Sequence, residues 1–356
     1  MRISIVIPAF NAEAVIAPCI ESILGQSHED IEVVCVDDGS TDDTLALLES
    51  ISLDDNRVRP IHQDNRGVSA ARNAGLAACT GDVVLFVDAD DELVPGALAS
   101  IDSRFSYGGV DCMVFGMRVE PEEATPITLA HRLAPRDAIL VDRPFDLIFR
   151  EKTHPYAFRV AFLRSFLLEN DLRFDEGLTL GEDEAFLMTS YRLVHRAILS
   201  SEQLYLYRMS EASASHKDNA SIEVLPAKLE KHLALVKSVM GEWKSRGLDS
   251  SCDQALLDWC LDLLMLDVSR LEPERQVAFY TSLWDALVGY YGGDGGRSIA
   301  SAVSDACLRS IQRAAFGATQ GPVIPRHLLV AFYVSRRGLA AVAERAVAGL
   351  RGRGAY

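Results

Sequence analysis

Three carboxylates, Asp88, Asp90 and Asp91, stand within one short run directly after the apolar stretch Val83 to Val87. Acids this close repel one another unless a cation lies among them. A divalent metal holding a diphosphate would meet that need, because hard cations take carboxylate and phosphate oxygens. A solvated acidic turn is the plain alternative, and for a lone Asp-x-Asp it is the usual one.

Three other clusters carry chemistry of their own. Val36-Asp37-Asp38-Gly39-Ser40-Thr41 ends a second apolar run. A carboxylate there can accept from a base N–H or a ribose hydroxyl, while Gly39 permits a tight turn and Ser40 or Thr41 can cap the next helix. Gly67-Val68-Ser69-Ala70-Ala71-Arg72-Asn73 opens an alanine-rich helix pattern with Arg72 about one turn in. A helix amino terminus beside an arginine makes an anion site, although a single helical arginine is more often solvated. Gly181-Glu182-Asp183-Glu184 opens another helix pattern. Glu182 and Glu184 would push the pKa of Asp183 upward, towards the range a general base needs, and the helix terminus would pull it down. Capping preference alone would also produce such an acidic helix start.

These residues need a scaffold that brings distant turns together. Over roughly the first 115 residues, strand and helix patterns alternate. Strands are expected at Ile3–Ile7, Ile31–Val36, Val58–Ile61, Val83–Val87 and Val110–Phe115. Helices are expected at Ala12–Gln26, Ser40–Ser50, Val68–Cys79 and near Pro95–Phe105. This rhythm predicts an α/β fold with a mostly parallel sheet and helices on both faces. Open α/β sheets bind ligands at the carboxyl ends of their strands, where the acid triplet and Asp37-Asp38 fall. Pro8-Ala9-Phe10-Asn11 ends the first strand in the same way, and Pro8 there stops the ladder. Beyond Ser213 come four amphipathic helical stretches, at 225–243, 252–271, 275–291 and 299–316.

Composition narrows the function classes. The net charge of −16 argues against a general nucleic-acid binder. No apolar run approaches the ~18 residues of a spanning helix. The amino terminus reads as a first strand and not a signal peptide. Seven scattered cysteines with no Cys-x-x-Cys spacing suggest reduced, buried thiols in a cytosolic protein and no zinc site. From Pro322 to Tyr356 there are six arginines, Arg326, Arg336, Arg337, Arg345, Arg351 and Arg353, against one acid, Glu344. Such a basic, partly apolar tail either lies on an anionic membrane surface or forms a core helix with solvated arginines.

Pro8-Ala9-Phe10-Asn11, Val36-Asp37-Asp38-Gly39-Ser40-Thr41-Asp42, Gly67-Val68-Ser69-Ala70-Ala71-Arg72-Asn73 and Asp88-Ala89-Asp90-Asp91 occur in the order and spacing of family-2 glycosyltransferases. The chain resembles the bacterial members that build cell-surface polysaccharides, from Met1 to about Arg208. The resemblance implies a GT-A fold: residues 1–215 as catalytic domain and 216–356 as a helical C-terminal region with the basic tail. Within the first, 1–115 would bind the nucleotide-sugar, and 116–215 would carry the acceptor side and the base.

It further implies an inverting hexosyl or N-acetylhexosaminyl transfer from a nucleotide-sugar, UDP-linked by preference, to a glycan or lipid-linked acceptor. Asp183 matches the family's catalytic base. Pro8, Asn11, Asp38, Gly67, Arg72, Asp88 and Arg208 match its donor-binding positions. Asp90 matches the ligand of Mn2+ or Mg2+, with Asp88 beside it and Asp91 as competitor. A cytoplasmic enzyme, peripheral at the inner face of the membrane and able to self-associate, would fit. The chain departs from the family where many relatives carry Trp-x-Lys: here the segment reads Tyr156-Ala157-Phe158-Arg159, which bears on acceptor contacts. A non-catalytic nucleotide-sugar or glycan-binding module is the rival reading, and it could dispense with Asp183. A nicotinamide-dependent dehydrogenase is excluded, because the first strand lacks a succeeding Gly-x-Gly-x-x-Gly turn.

Overall fold

The structure is a computed structural model, and it describes residues 1–121, 134–151, 153, 155–209, 224–248, 250–317 and 323–350; of 339–350 it describes the backbone. The chain divides into two compact units, Met1–Glu211 and Ala212–Tyr356.

The first unit is built on one mixed sheet. β1 (Ile3–Ala9), β2 (Ile31–Asp38), β3 (Val58–Gln63) and β4 (Val83–Phe86) alternate with α1 (Ile16–Leu24), α2 (Thr44–Asp54) and α3 (Val68–Ala78). After them come β5 (Glu92–Leu93), α4 (Ala97–Phe105), β6 (Cys112–Glu120), β7 (Ala138–Val141), β8 (Val160–Leu163), α5 (Arg164–Glu169), α6 (Glu182–Leu193) and β9 (Arg196–Arg208). The order across the sheet is β3-β2-β1-β4-β8-β6-β9-β5, with β7 also on β9. Strands β1 to β4 pair in parallel, as helical crossovers require. β8 enters antiparallel between β4 and β6, and β5 and β7 pair antiparallel with β9. β6 and β9 are parallel to each other.

Alternation along β1 explains the layers. Ile3, Ile5 and Ile7 join a buried cluster with Ile16, Cys19, Ile20 and Ile23 of α1, Leu48 of α2, and Leu98 and Ile101 of α4. Val6 points to the other face, under α3. There Gly75 lets helix and strand meet, because a Cβ at Gly75 would collide with the Val6 side chain. At the amino-terminal end of the strands, buried Glu32 accepts from Ser4, Thr80 and Arg59. Burial would raise its pKa, but these bonds outweigh that and hold it down to about 2.

The second unit contains α7 (Leu225–Ser245), α8 (Asp253–Val268), α9 (Pro273–Tyr291), α10 (Ala302–Ala315) and α11 (Arg326–Leu350), the last interrupted at Gly338. Its core holds Val236, Trp243, Leu257, Leu264, Leu283, Ile311 and Phe332. The basic tail is partly tied into this unit. Arg336 pairs with Asp258, and Arg337 pairs with both oxygens of Asp262 at 2.9 Å and covers the Tyr333 ring. Up to Arg337 the stretch thus packs within this unit, and Arg336 and Arg337 are ion-paired where the core-helix alternative had them solvated. The side chain of Arg345, and Arg351 and Arg353 altogether, lie outside the described residues. Among the described residues, no helix is long and apolar enough to cross a membrane.

Candidate active site

Three loops meet at the carboxyl end of the parallel strands. Asn11, at φ 50°, takes the left-handed conformation that asparagine tolerates better than most residues. Its Oδ1 accepts from the Thr41 N–H at 2.8 Å, and its own N–H donates to Ser40 Oγ at 2.9 Å. The turn after β1 is thereby tied to the turn after β2. Pro8 does not stop the ladder as expected: it lies inside β1 opposite Val36, and pairing continues to Ala9 opposite Asp37. Gly39 continues the chain of contacts. At φ 71° and with Asn65 N only 2.7 Å from where a Cβ would sit, it lets the β2 turn touch the loop before α3.

Asp38 governs that loop. It is 3% exposed, and its oxygens accept from Gln63 Nε2 at 2.7 Å, Arg66 N–H at 2.9 Å and Gly67 N–H at 2.8 Å. The carboxylate expected to meet a base is thus also the acceptor that fixes the start of α3.

Arg72 is the centre of the site. Its alanine neighbours let it sink to 4% exposure. One terminal nitrogen donates to Asp183 Oδ1 at 2.6 Å and Glu182 Oε1 at 3.3 Å; the other donates to Asp88 Oδ1 at 2.9 Å. Burial works against its charge, but the three carboxylates more than offset this and hold the guanidinium protonated. It also lies over the Phe174 ring, which stacks on Phe186 of α6 at 4.1 Å. Asn73 exchanges hydrogen bonds with the backbone of Phe174, so α3 orients the loop leading into α6.

The pKa of Asp183 is raised to about 7. Burial is the main cause, and Glu182 and Asp88 add to it, while Arg72 and the Ala157 N–H, donating to Oδ2 at 2.9 Å, oppose it. The upward push expected of the acidic helix start is present. Its second source is Asp88, from the distant acid turn, where the sequence pointed to Glu184.

The acid triplet divides its labour. Asp88 pairs with Arg72. Asp91 is 0% exposed; it accepts from Tyr205 Oη at 2.7 Å and the Arg208 N–H at 2.8 Å. Burial, then the charge of Asp88, still pushes the Asp91 carboxyl up to about 8. Asp90 has no side-chain partner among the described residues, and burial and Asp88 raise its pKa too. Asp90 and Arg208 line a cavity of about 290 Å³ against the start of α1. The Arg208 guanidinium pairs with Glu92 at 2.7 Å and Glu120 at 3.2 Å. Among the described residues, no group of three or more His, Cys, Asp or Glu side chains forms a metal cluster by itself.

Two buried donors of α3 have no partner among the described residues, Arg72 Nε and Ser69 Oγ. Both lie in the first turns of α3, where helix N–H groups favour an anion. Sequence reading tied the segment Tyr156-Ala157-Phe158 to acceptor contacts and missed its hold on Asp183. A backbone donor such as the Ala157 N–H leaves no signature in residue type.

The sequence model described as glycosyl transferase family 2 matches residues 4–200, which include every residue of this cluster except Tyr205 and Arg208. The chain belongs to glycosyl transferase family 2. This family-2 glycosyltransferase is 28% identical over 257 residues to the uncharacterized glycosyltransferase EpsJ of Bacillus subtilis, covering 71% of this chain and 73% of that one. It is 30% identical over 250 residues to the poly(ribitol-phosphate) beta-N-acetylglucosaminyltransferase TarS of Staphylococcus aureus, covering 65% of this chain and 42% of TarS. Its fold matches crystal structures of S. aureus TarS 1-349 with UDP and with UDP-GlcNAc, at TM-scores of 0.68 and 0.66. Both are 19% identical and cover 89% of each chain, so they establish a shared GT-A architecture, including the helical part after the catalytic sheet.

Proposed function

We propose that this glycosyltransferase moves a hexosyl or N-acetylhexosaminyl group from a UDP-sugar to a hydroxyl of a cell-surface glycan or lipid-linked acceptor, with inversion. The observation that carries the reading is the convergence of Asp88 and Asp183, from distant parts of the chain, on the buried Arg72. The UDP and UDP-GlcNAc complexes of TarS, and its named activity on poly(ribitol-phosphate), support the choice of donor and acceptor class.

In this mechanism Asp183 accepts the proton of the attacking hydroxyl, and its raised pKa suits that task. The hydroxyl oxygen bonds to the anomeric carbon as the bond to the diphosphate oxygen breaks. Arg72, with Ser69 and the N–H groups of α3, faces the charge that gathers on the leaving diphosphate. Pro8 and Asn11 shape the nucleotide pocket, Asp38 holds the Arg66–Gly67 loop against the base, and Arg208 reaches the diphosphate by exchanging Glu92 or Glu120 for it.

Asp90 and Asp88 are suited to a divalent cation, Mn2+ or Mg2+. Asp90 has no competing side chain among the described residues and gains from added positive charge, while Asp88 keeps one oxygen beyond its bond to Arg72. When bound with diphosphate oxygens, such a cation neutralises the leaving group. Asp91, with both oxygens already engaged, fits that role less well. The seven free, buried thiols suit a reducing compartment, so we propose a cytoplasmic enzyme.

Calorimetric titration of UDP, with GDP and dTDP as controls, tests the reading on wild type and Asp90→Ala with and without Mn2+. Metal-dependent UDP binding that the substitution removes supports it. A folded wild type that binds no nucleotide overturns it.

A further inference from the structure

We propose that Tyr205 is the positioning residue of the acid turn, and that through Phe158 it couples this turn to the segment anchoring Asp183. The role rests on the sugar-transfer reading above. Tyr205 is fully buried in β9. Its hydroxyl donates to Asp91 Oδ2 at 2.7 Å and accepts from the Asp88 N–H at 3.1 Å. The turn itself is closed by one backbone bond, Asp91 N–H to the Asp88 carbonyl at 3.1 Å. The Arg208 N–H takes the second Asp91 oxygen. β9 therefore holds the turn at its first and last acid. Asp90 lies between them with no side-chain partner among the described residues, so the backbone that Tyr205 holds sets its direction.

The same ring reaches the base. Tyr205 stacks on Phe158 with centroids 4.4 Å apart and planes 15° apart. Phe158 stacks in turn on Tyr156 at 5.1 Å. Between these two, the Ala157 N–H holds Asp183 Oδ2. Any movement of the Tyr205 ring is transmitted to the cation-facing acids and to the anchor of the base. A phenol suits this post because its hydroxyl donates and accepts at once on a rigid ring. Phenylalanine would fill the same space but leave the buried Asp88 N–H and Asp91 Oδ2 without it.

The test is calorimetry of UDP and Mn2+ on the full chain, wild type and Tyr205→Phe, with a thermal melt of each. In Tyr205→Phe the apparent Mn2+ affinity in the presence of UDP should fall about 10- to 100-fold, as for other partners that orient metal ligands, with metal-free UDP affinity kept within about twofold. Saturating Mn2+ should restore UDP binding. Unchanged Mn2+ affinity in the folded variant overturns the role, as does an equal loss of metal-free UDP binding. If wild type binds no nucleotide at any Mn2+ concentration, the site reading fails and this role fails with it. Should Tyr205→Phe not fold, Phe158→Leu removes the stack and leaves the hydroxyl. It is expected to weaken Mn2+ affinity in the same direction, and wild-type affinity there also overturns the proposal.

Discussion

Arg72 holds the Asp183 carboxylate at 2.6 Å, 111 residues away along the chain. The same guanidinium holds Asp88 from the acid turn, so one buried cation is shared between the proposed base and a proposed donor-site acid. Arrival of a diphosphate would give Arg72 a new partner and leave Asp183 freer to accept a proton. On the proposed mechanism, the pair would link donor binding to the readiness of the base.

Asp183→Asn keeps the shape of the side chain and one acceptor for Arg72 but cannot take a proton. Transfer should fall about 10²- to 10⁴-fold, the usual worth of a general base. UDP affinity should stay near wild type, while the Ala157 N–H, left facing an amide NH2, costs about 1–3 kcal/mol of stability. Single-turnover transfer assays beside UDP calorimetry check this, and wild-type transfer by the variant would remove the base assignment.

The pH profile depends on the raised pKa of Asp183. A base must be ionised to act, so kcat/KM should decline by about tenfold per pH unit below about 7 and level off above it. Glu182 is one of the like charges that raise this pKa. Glu182→Gln should therefore shift the acid limb to lower pH. A limb that stays in place, or moves up, would contradict the electrostatic account.

Arg72→Met leaves Asp183, Glu182 and Asp88 without their shared cation. Removing one partner of a buried ion cluster costs about 3–5 kcal/mol. The cost depends on pH with a definite sign. Asp183 already has a folded-state pKa above its unfolded value, and losing Arg72 raises it further. Such a group favours folding below its unfolded pKa, and that contribution is lost as pH rises through the folded pKa, about 7 in wild type and higher in the variant. The destabilisation should therefore be largest above neutrality and shrink towards pH 5, as urea unfolding at both ends would reveal.

Asp90→Ala and Asp91→Ala should separate binding from structure. Asp90 has no side-chain partner to lose among the described residues, and burial and a like charge disfavour its ionised form. Its removal should leave the unfolding midpoint unchanged or slightly higher while abolishing metal-dependent UDP binding. Asp91→Ala orphans the Tyr205 hydroxyl bond and the Arg208 N–H, at about 1–3 kcal/mol each. Denaturant midpoints of the two variants, measured together, decide the matter.

The parts of the site legible in sequence are those with local causes. Apolar runs marked β1, β2 and β4, and the acids and glycines at their carboxyl ends could be assigned to turns at once. Alanines around Arg72 announced a close-packed helix. Strand direction was not legible, since an apolar run looks the same whichever way its neighbour runs; hence the antiparallel β8 between β4 and β6 was unforeseen. Nor was the role of Tyr156-Ala157-Phe158, which acts through a backbone N–H. Arg336 and Arg337 read as a basic tail, yet meet Asp258 and Asp262, one helical turn apart on α8. That four-residue spacing was the available signal, but spacing does not reveal which helix will face it.

The sequence by itself determined the α/β rhythm, the turns at the strand ends and the acids and arginine they carry, because side-chain period and turn chemistry act over a few residues. Only the tertiary structure decided how those charges are shared. Arg72 balances three carboxylates, Asp91 is engaged by Tyr205 and Arg208 while Asp90 has no side-chain partner among the described residues, and the pKa of Asp183 is lifted by burial, with Glu182 and Asp88 adding to it. These assignments depend on distance and burial between segments up to 117 residues apart, and Coulomb and desolvation energies depend on position in space and not position in the chain.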